Sequence, residues 1–317
     1  IRHTTRNFPN REGSKPGSGQ LAGVALMDAR SIAATTVNGG ILTPATEIDY
    51  DPTVPEYHYD PSSYETRVYQ GFGHGDYDAL LKFGPNIKDW PEIAPLGENL
   101  LLKVASYITD PVTTTDELIP SGETSSYRSN PMKLASFALS RRDPDYVPRA
   151  RATQALEEAR RSGTIPPELQ SVQKALSIPD MSRVQIGSVL FANKPGDGSA
   201  REQAASCQRV LGGCANLCYE FATKRYRSNC VNWGMLPFTL AEGANFPGHP
   251  GDFLYVPQVR EKVTRGDEEF PALLLTDSGI HALTLYLKNT TAEERELLLT
   301  GCLMNHYAAQ NAAENRR

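Results

Sequence analysis

Apolar positions along the chain fall into short dense runs separated by charged or glycine-rich stretches, the signature of alternating strands and helices. Leu100-Leu-Leu-Lys-Val-Ala-Ser-Tyr-Ile108 and Val184-Gln-Ile-Gly-Ser-Val-Leu-Phe-Ala192 predict strands, and Cys214-Ala-Asn-Leu-Cys-Tyr-Glu-Phe-Ala222 predicts a buried one. Shorter strands are expected at 252–256 and 272–275. Between them, 144–177 is charged with helical spacing, and a helix is predicted over about 200–210. A last helix is predicted over about 291–311, with Thr290 or Thr291 capping it ahead of Glu293 and Glu294.

The N-terminal third reads differently. A Gly/Ser/Lys/Pro loop over 13–19 leads into a helical stretch at 21–36. Residues 49–97 are then dense in Pro, Tyr, Asp and Gly with little periodicity, as in a linker or an extension laid over a surface. Tyr50, Tyr57, Tyr59, Tyr64 and Tyr69 suit that role, since a tyrosine ring buries area while its hydroxyl stays wet. There is no internal repeat. The expected organisation is 1–49, 50–97 as the irregular connection, and a main α/β domain over 98–317.

Composition narrows the function classes. At 317 residues the chain can bury a full core, and 39% hydrophobic with 22% charged residues is ordinary for a globular protein. A net charge of -5 without a Lys/Arg block argues against a nucleic-acid-coating surface. No apolar run reaches the roughly 18 residues that span a bilayer, and the chain does not open on a signal peptide. Five cysteines, an odd number without a regular framework, fit a reducing compartment, and the expected location is cytoplasmic. Cys207, Cys214 and Cys218 crowd together, which raises the question of a metal. None of the spacings is Cys-x2-Cys, so buried reduced thiols are the favoured reading over ligands.

The chemistry concentrates in one turn, Asn193-Lys-Pro-Gly-Asp-Gly-Ser-Ala-Arg-Glu202, which follows a strand and opens a helix. Glycines let backbone approach a ligand, and the unpaired N–H groups of a helix start attract anions. A serine hydroxyl is a poor base in water, and it can act as one only where donors and positive charge stabilise the alkoxide. Ser199, at the expected helix start with Arg201 beside it, is placed for that. The alternative is that Ser199 is only a helix cap and Gly196 and Gly198 only shape a tight turn.

Several motifs in order resemble the aconitase superfamily. Its mobile C-terminal domain carries a Gly-x-Gly-Ser-Ser-Arg-Glu loop, a Leu-Gly-Gly turn and a Gly-Leu-Leu-Pro segment. Here stand Gly196-Asp-Gly-Ser-Ala-Arg-Glu202, Leu211-Gly-Gly213, Phe221-Ala222 and Gly234-Met-Leu-Pro237. Upstream, Thr114-Thr-Asp-Glu-Leu-Ile-Pro120 is similar to the family's Thr-Thr-Asp-His-Ile segment, and Tyr127-Arg-Ser-Asn130 falls where it places a substrate arginine. Thr5-Arg-Asn-Phe-Pro-Asn-Arg11 resembles the Asn-Arg-Asn-Phe-x-Gly-Arg signature near the end of its cluster-bearing region.

The resemblance implies a swivelling β/β/α domain, a mixed sheet or small barrel flanked by helices, over 98–317, preceded at 1–49 by a remnant of the α/β domain before it. It implies a hydro-lyase acting on a hydroxy-polycarboxylic acid, a tri- or dicarboxylate. Ser199 would be the base removing a proton from the carbon beside a carboxylate. Arg201 would support the serine oxyanion or hold a carboxylate, and Arg6, Arg11 and Arg128 would grip carboxylates, a task that suits the planar guanidinium fork. The family's 4Fe-4S cluster polarises the substrate hydroxyl, but its cysteine ligands lie upstream of the Arg-Asn-Phe signature. None of the five cysteines here matches them, so neither cluster nor metal is expected on this chain alone.

The chain therefore reads as part of a roughly twice-larger enzyme, its partner being the cluster-bearing N-terminal domains, inactive without them. Three departures bear on substrate: Ala200 replaces the family's second serine, Thr5 an asparagine, and Asn10 a glycine. A non-catalytic module of the same fold, binding an anion or a partner, is the alternative function.

Overall fold

The computed structural model describes residues 26–314 apart from 50, 52, 69–72, 77, 81 and 242. Two compact units divide the chain, 1–82 and 83–317. Within the first, α1 (Ala29–Val37) starts at Asp28, whose carboxylate accepts the Ser31 N–H at 2.9 Å. The predicted helix over 21–36 is thus found from residue 29, and 21–25 lie outside the described residues. One further short helix, α2 (Ser62–Arg67), lies in the tyrosine-rich stretch.

The second unit opens with β1 (Asn99–Ile108), β2 (Thr113–Thr114) and two short helices, α3 (Thr115–Leu118) and α4 (Pro131–Ala135). Then come α5 (Tyr146–Arg161), α6 (Pro167–Ala175), β3 (Val184–Ala192), β4 (Pro195–Asp197) and α7 (Arg201–Val210). They are followed by β5 (Gly213–Cys218), α8 (Lys224–Asn232), β6 (Leu236–Thr239), β7 (Phe253–Val256) and α9 (Val259–Arg265). A hairpin of β8 (Glu269–Thr276) and β9 (Gly279–Tyr286) leads to α10 (Ala292–Thr300) and α11 (Leu303–Glu314).

Seven strands close into a mixed barrel in the order β1-β3-β5-β6-β9-β8-β7, so the expected small barrel flanked by helices is what forms. β1, β3, β5 and β6 run parallel, and the remaining pairings are antiparallel. β3 is buried at all nine positions because its side chains feed three apolar clusters, one inside the barrel and two outside it. Val189 and Phe191 point with Leu102, Leu217, Phe238 and Leu254 into the barrel. Leu190 and Ala192 point out under α4, α5, α7 and α8, against Leu134, Tyr146, Ala204 and Tyr226. A strand with apolar groups on both faces is the expected pattern in a parallel sheet covered by helices.

Register aligns the carboxyl ends of the parallel strands. Ile108 pairs with Ala192, Ala192 with Cys218, and Cys218 with Thr239, so the loops that begin at 109, 193, 219 and 240 leave the barrel at one end. Ligands of open parallel sheets bind at that end.

Two predicted elements differ. The strand expected over 214–222 stops at Cys218, because Tyr219–Thr223 turns away to bond the backbone of residues 193–196. The single C-terminal helix is two helices, α10 and α11, broken at Gly301, whose φ of 95° no continuing helix adopts. The expected start is found, with Thr291 and Glu294 forming a reciprocal capping box. No described helix is long and apolar enough to cross a membrane.

Candidate functional site

Residues 193–200 form a loop clamped on both sides. On one side the β2 segment lies parallel to β4, pairing Thr113 with Pro195 and Thr114 with Asp197, and the Thr113 N–H donates to the Lys194 carbonyl at 3.0 Å. On the other, the Tyr219 N–H donates to Asn193 O at 3.2 Å and the Ala222 N–H to Pro195 O at 2.9 Å. The Thr223 hydroxyl then donates to Gly196 O at 3.0 Å. The Thr-Thr-Asp and Gly-x-Gly-Ser motifs, some eighty residues apart in sequence, are thus one structural element.

Both glycines are required here by close approach. A Cβ on Gly196, which has φ 98°, would sit 2.3 Å from the Tyr226 ring. One on Gly198, with φ 126°, would sit 2.3 Å from the Thr115 hydroxyl. Neither conformation is one that an L side chain readily adopts.

Ser199 is exposed, immediately before α7. The capping position is held by Ala200 and not by Ser199, and Ala200 offers no side-chain acceptor to the first-turn N–H groups. No side-chain cap closes the N-terminus of this ten-residue helix, the positive end that favours an anion. In α3 such a cap is present: the Thr114 hydroxyl accepts the Glu117 N–H at 3.2 Å, and the Glu117 carboxylate accepts the Thr114 N–H at 2.7 Å. Arg201 is half-buried in the first turn of α7, and Glu202 beside it accepts the Trp233 indole N–H at 3.1 Å.

Of the other residues singled out from sequence, Arg128 is exposed between a 3₁₀ turn at Ser125–Tyr127 and α4, the helix that packs on α7. Arg6 and Arg11 lie outside the described residues. Asp116, in the Thr-Thr-Asp segment, accepts from Arg141, which also pairs with Glu123.

The sequence reading passed over a buried polar group beneath the loop, made by Gln208, Asn216 and Tyr226. One signal pointed to it: Asn216 stands in an otherwise apolar strand, and a buried amide needs partners. Arg209 was missed as well. Buried at 6% exposure, it donates to Gly213 O and Ala94 O, both at 3.0 Å, and so ties the segment before β1 to the end of α7.

All five cysteines are buried as free thiols. Burial raises the pKa of Cys207, Cys214 and Cys218 and pushes Cys230 up to about 12. A thiolate, the form that ligates iron, is therefore disfavoured at these positions. Among the described residues no group of three His, Cys, Asp or Glu side chains could hold a metal ion. The cysteines present do not fit an iron–sulfur cluster. In the native state they are expected to resist a water-soluble alkylating reagent at neutral pH, and all five to react once the chain is unfolded. Rapid native labelling counted by mass spectrometry would contradict this.

No family model matches the chain. A protein of Emericella nidulans named as a mitochondrial aconitate hydratase is 24% identical over 318 residues, which is 95% of this chain and 38% of that protein. Aconitate hydratase A of Bradyrhizobium diazoefficiens is 31% identical over 141 residues, 41% of this chain and 14% of that protein. The chain thus spans well under half the length of either relative. Among solved structures, a 3-isopropylmalate dehydratase of Methanocaldococcus jannaschii overlays with a TM-score of 0.43 and 18% identity, covering 69% of this chain and 98% of that one. An overlay that loose carries no argument about function.

Proposed function

We propose that this chain, which belongs to the aconitase superfamily, is the part of a hydro-lyase that removes the substrate proton and holds substrate carboxylates. The single observation that carries this reading is an exposed Ser199 before an uncapped helix start, in a loop fixed by two glycine contacts at the carboxyl end of four parallel strands.

Ser199 is the base. A carbon acid next to a carboxylate yields its proton only to a group held beside it, and the serine oxygen is kept anionic by α7's first-turn N–H groups and the Arg201 guanidinium. Arg201, Arg128, Arg6 and Arg11 hold carboxylates, each as a charged fork that pairs two-pronged. The substrate is a hydroxy-polycarboxylate. Departure of its hydroxyl belongs to groups outside this chain, since its own thiols are not built for an iron–sulfur cluster. A 4Fe-4S cluster and the domains that carry it belong to the rest of a longer enzyme.

The deciding experiment is turnover of the complete, cluster-loaded enzyme on a panel of hydroxy-di- and tricarboxylates. Dehydration of at least one supports the reading. Failure on all of them, with carboxylate binding retained, points instead to an anion- or partner-binding module. Arg201→Lys keeps the charge but loses the fork, and it is expected to raise KM about tenfold, the effect of roughly one charge-assisted hydrogen bond. An unchanged KM would remove Arg201 from the carboxylate site.

A further inference from the structure

The layer between β5 and the helices α7 and α8, beneath the serine loop, contains three polar side chains where apolar ones would pack as well. Tyr226 and Asn216 are fully buried and Gln208 is at 2% exposure. Their hydrogen bonds form a closed ring. The Gln208 amide donates to the Tyr226 hydroxyl at 2.8 Å, the Tyr226 hydroxyl donates to the Asn216 carbonyl oxygen at 3.1 Å, and the Asn216 amide donates to the Gln208 carbonyl oxygen at 3.0 Å. The second Gln208 donor goes to Ala204 O at 2.8 Å, inside α7. Each ring member therefore gives and accepts a hydrogen bond, the condition under which a buried polar group avoids a desolvation cost.

The ring joins three elements. Gln208 lies in α7, Asn216 in β5 and Tyr226 in the first turn of α8. That first turn is also what holds Gly196. Thr223, the cap of α8, accepts the Tyr226 N–H at 3.2 Å and donates to Gly196 O, while the Tyr226 ring occupies the space a Cβ on Gly196 would need. The tyrosine thus touches the loop with its ring and is fixed at its far end by the helix that the loop leads into.

We propose that Tyr226 is a positioning residue for the serine loop. Through the ring with Gln208 and Asn216 it locks the Gly196 turn in register with the first turn of α7, and so fixes where Ser199 points. Simple filling of space would need only a phenylalanine, and the hydroxyl adds a constraint on ring rotation and on the α7–α8 spacing. The turnover consequence rests on Ser199 being the base, whereas the structural consequence does not.

Hydrogen exchange in this chain provides the direct test. Tyr226→Phe keeps the aromatic packing and breaks two bonds of the ring, leaving Gln208 and Asn216 each short of a partner. The amides of 196–201 are expected to exchange about tenfold faster, while those of β3 and β5 remain as in the wild type. In the complete enzyme the same variant is expected to lower kcat about tenfold with KM within about twofold, the split of a misaimed base and not of lost binding. Unchanged loop exchange, or acceleration spread evenly over the barrel, overturns the proposal.

A second variant separates positioning from packing. Gln208→Leu with Asn216→Leu and Tyr226→Phe replaces the ring by apolar groups of similar size. It is expected to recover thermal stability without recovering loop protection, and return of protection together with stability overturns the proposal. Should the triple variant not fold, the single variant decides alone. Ser199→Ala, which leaves the ring intact, should keep wild-type loop exchange, so failure of the base reading shows in its turnover only.

Discussion

Ser199→Ala in the complete enzyme is expected to lower kcat by about 10²–10⁴-fold, the usual contribution of a positioned general base, while substrate binding changes little. The argument starts from the loop. Ser199 is not placed to hold the fold: it is exposed, it precedes α7 without capping it, and Ala200 already occupies the cap. Removing the hydroxyl therefore costs little stability, and an alanine at 199 leaves Gly196, Gly198 and the α7 donors where they are. Binding follows the carboxylate contacts, which the substitution does not touch. On the proposed reading the proton transfer then loses its acceptor, and the loss is expected in kcat. The comparison is of steady-state rates at equal cluster content, with circular dichroism confirming the fold. A kcat within about twofold of wild type would end the assignment of Ser199 as base.

The second large effect is on stability. Gly234→Ala is expected to destabilise the chain by about 3 kcal/mol or more, at the high end for a single substitution. Gly234 ends α8 with φ 65°, and a Cβ there would lie 1.8 Å from the carbonyl oxygen and 2.4 Å from the carbonyl carbon of Gly301. Gly301 cannot retreat easily. A Cβ on it would in turn meet Ala94 O at 2.4 Å, and that carbonyl is held by the Arg209 guanidinium at 3.0 Å. Three backbone segments stack here with no side chain between them: the α8–β6 turn, the α10–α11 break and the segment leading into β1. Relief requires moving backbone, which a well-packed core resists.

Gly163→Ala is the control. It has φ 85° after α5 but nothing within 4 Å of the added carbon, so it should cost only the left-handed penalty of about 1–2 kcal/mol. Denaturant midpoints of the two variants decide the matter. Equal losses would show that the stack yields.

This stack gives a physical meaning to Gly234-Met-Leu-Pro237, which in the sequence is only a recognisable string. The glycine is needed because Gly301 arrives against it, sixty-seven residues later in the chain. Nothing local to either glycine announces the other. The same holds for Gly198 and Thr115, and for Gly196 and Tyr226. Glycines at these places were legible as a tight, ligand-approaching turn, but their partners were not.

Local pattern determined a good deal. Dense apolar runs marked β1 and β3, because a strand buried between a barrel interior and a helix layer has no polar face to show. Thr291 with Glu294 marked the start of α10, because a capping box is satisfied within four residues. The serine loop was marked as an anion-attracting helix start, because glycine freedom and orphan N–H groups are properties of a few consecutive residues. Tertiary structure alone decided which loops share the barrel end, since that depends on the register of Ile108, Ala192, Cys218 and Thr239 across three crossovers. It also gave Asp116 to Arg141, made the cap Ala200, broke the last helix at Gly301, and closed Gln208, Asn216 and Tyr226 into a ring. Those outcomes are contacts between distant segments, and a one-dimensional pattern of polar and apolar positions holds no coordinate for them.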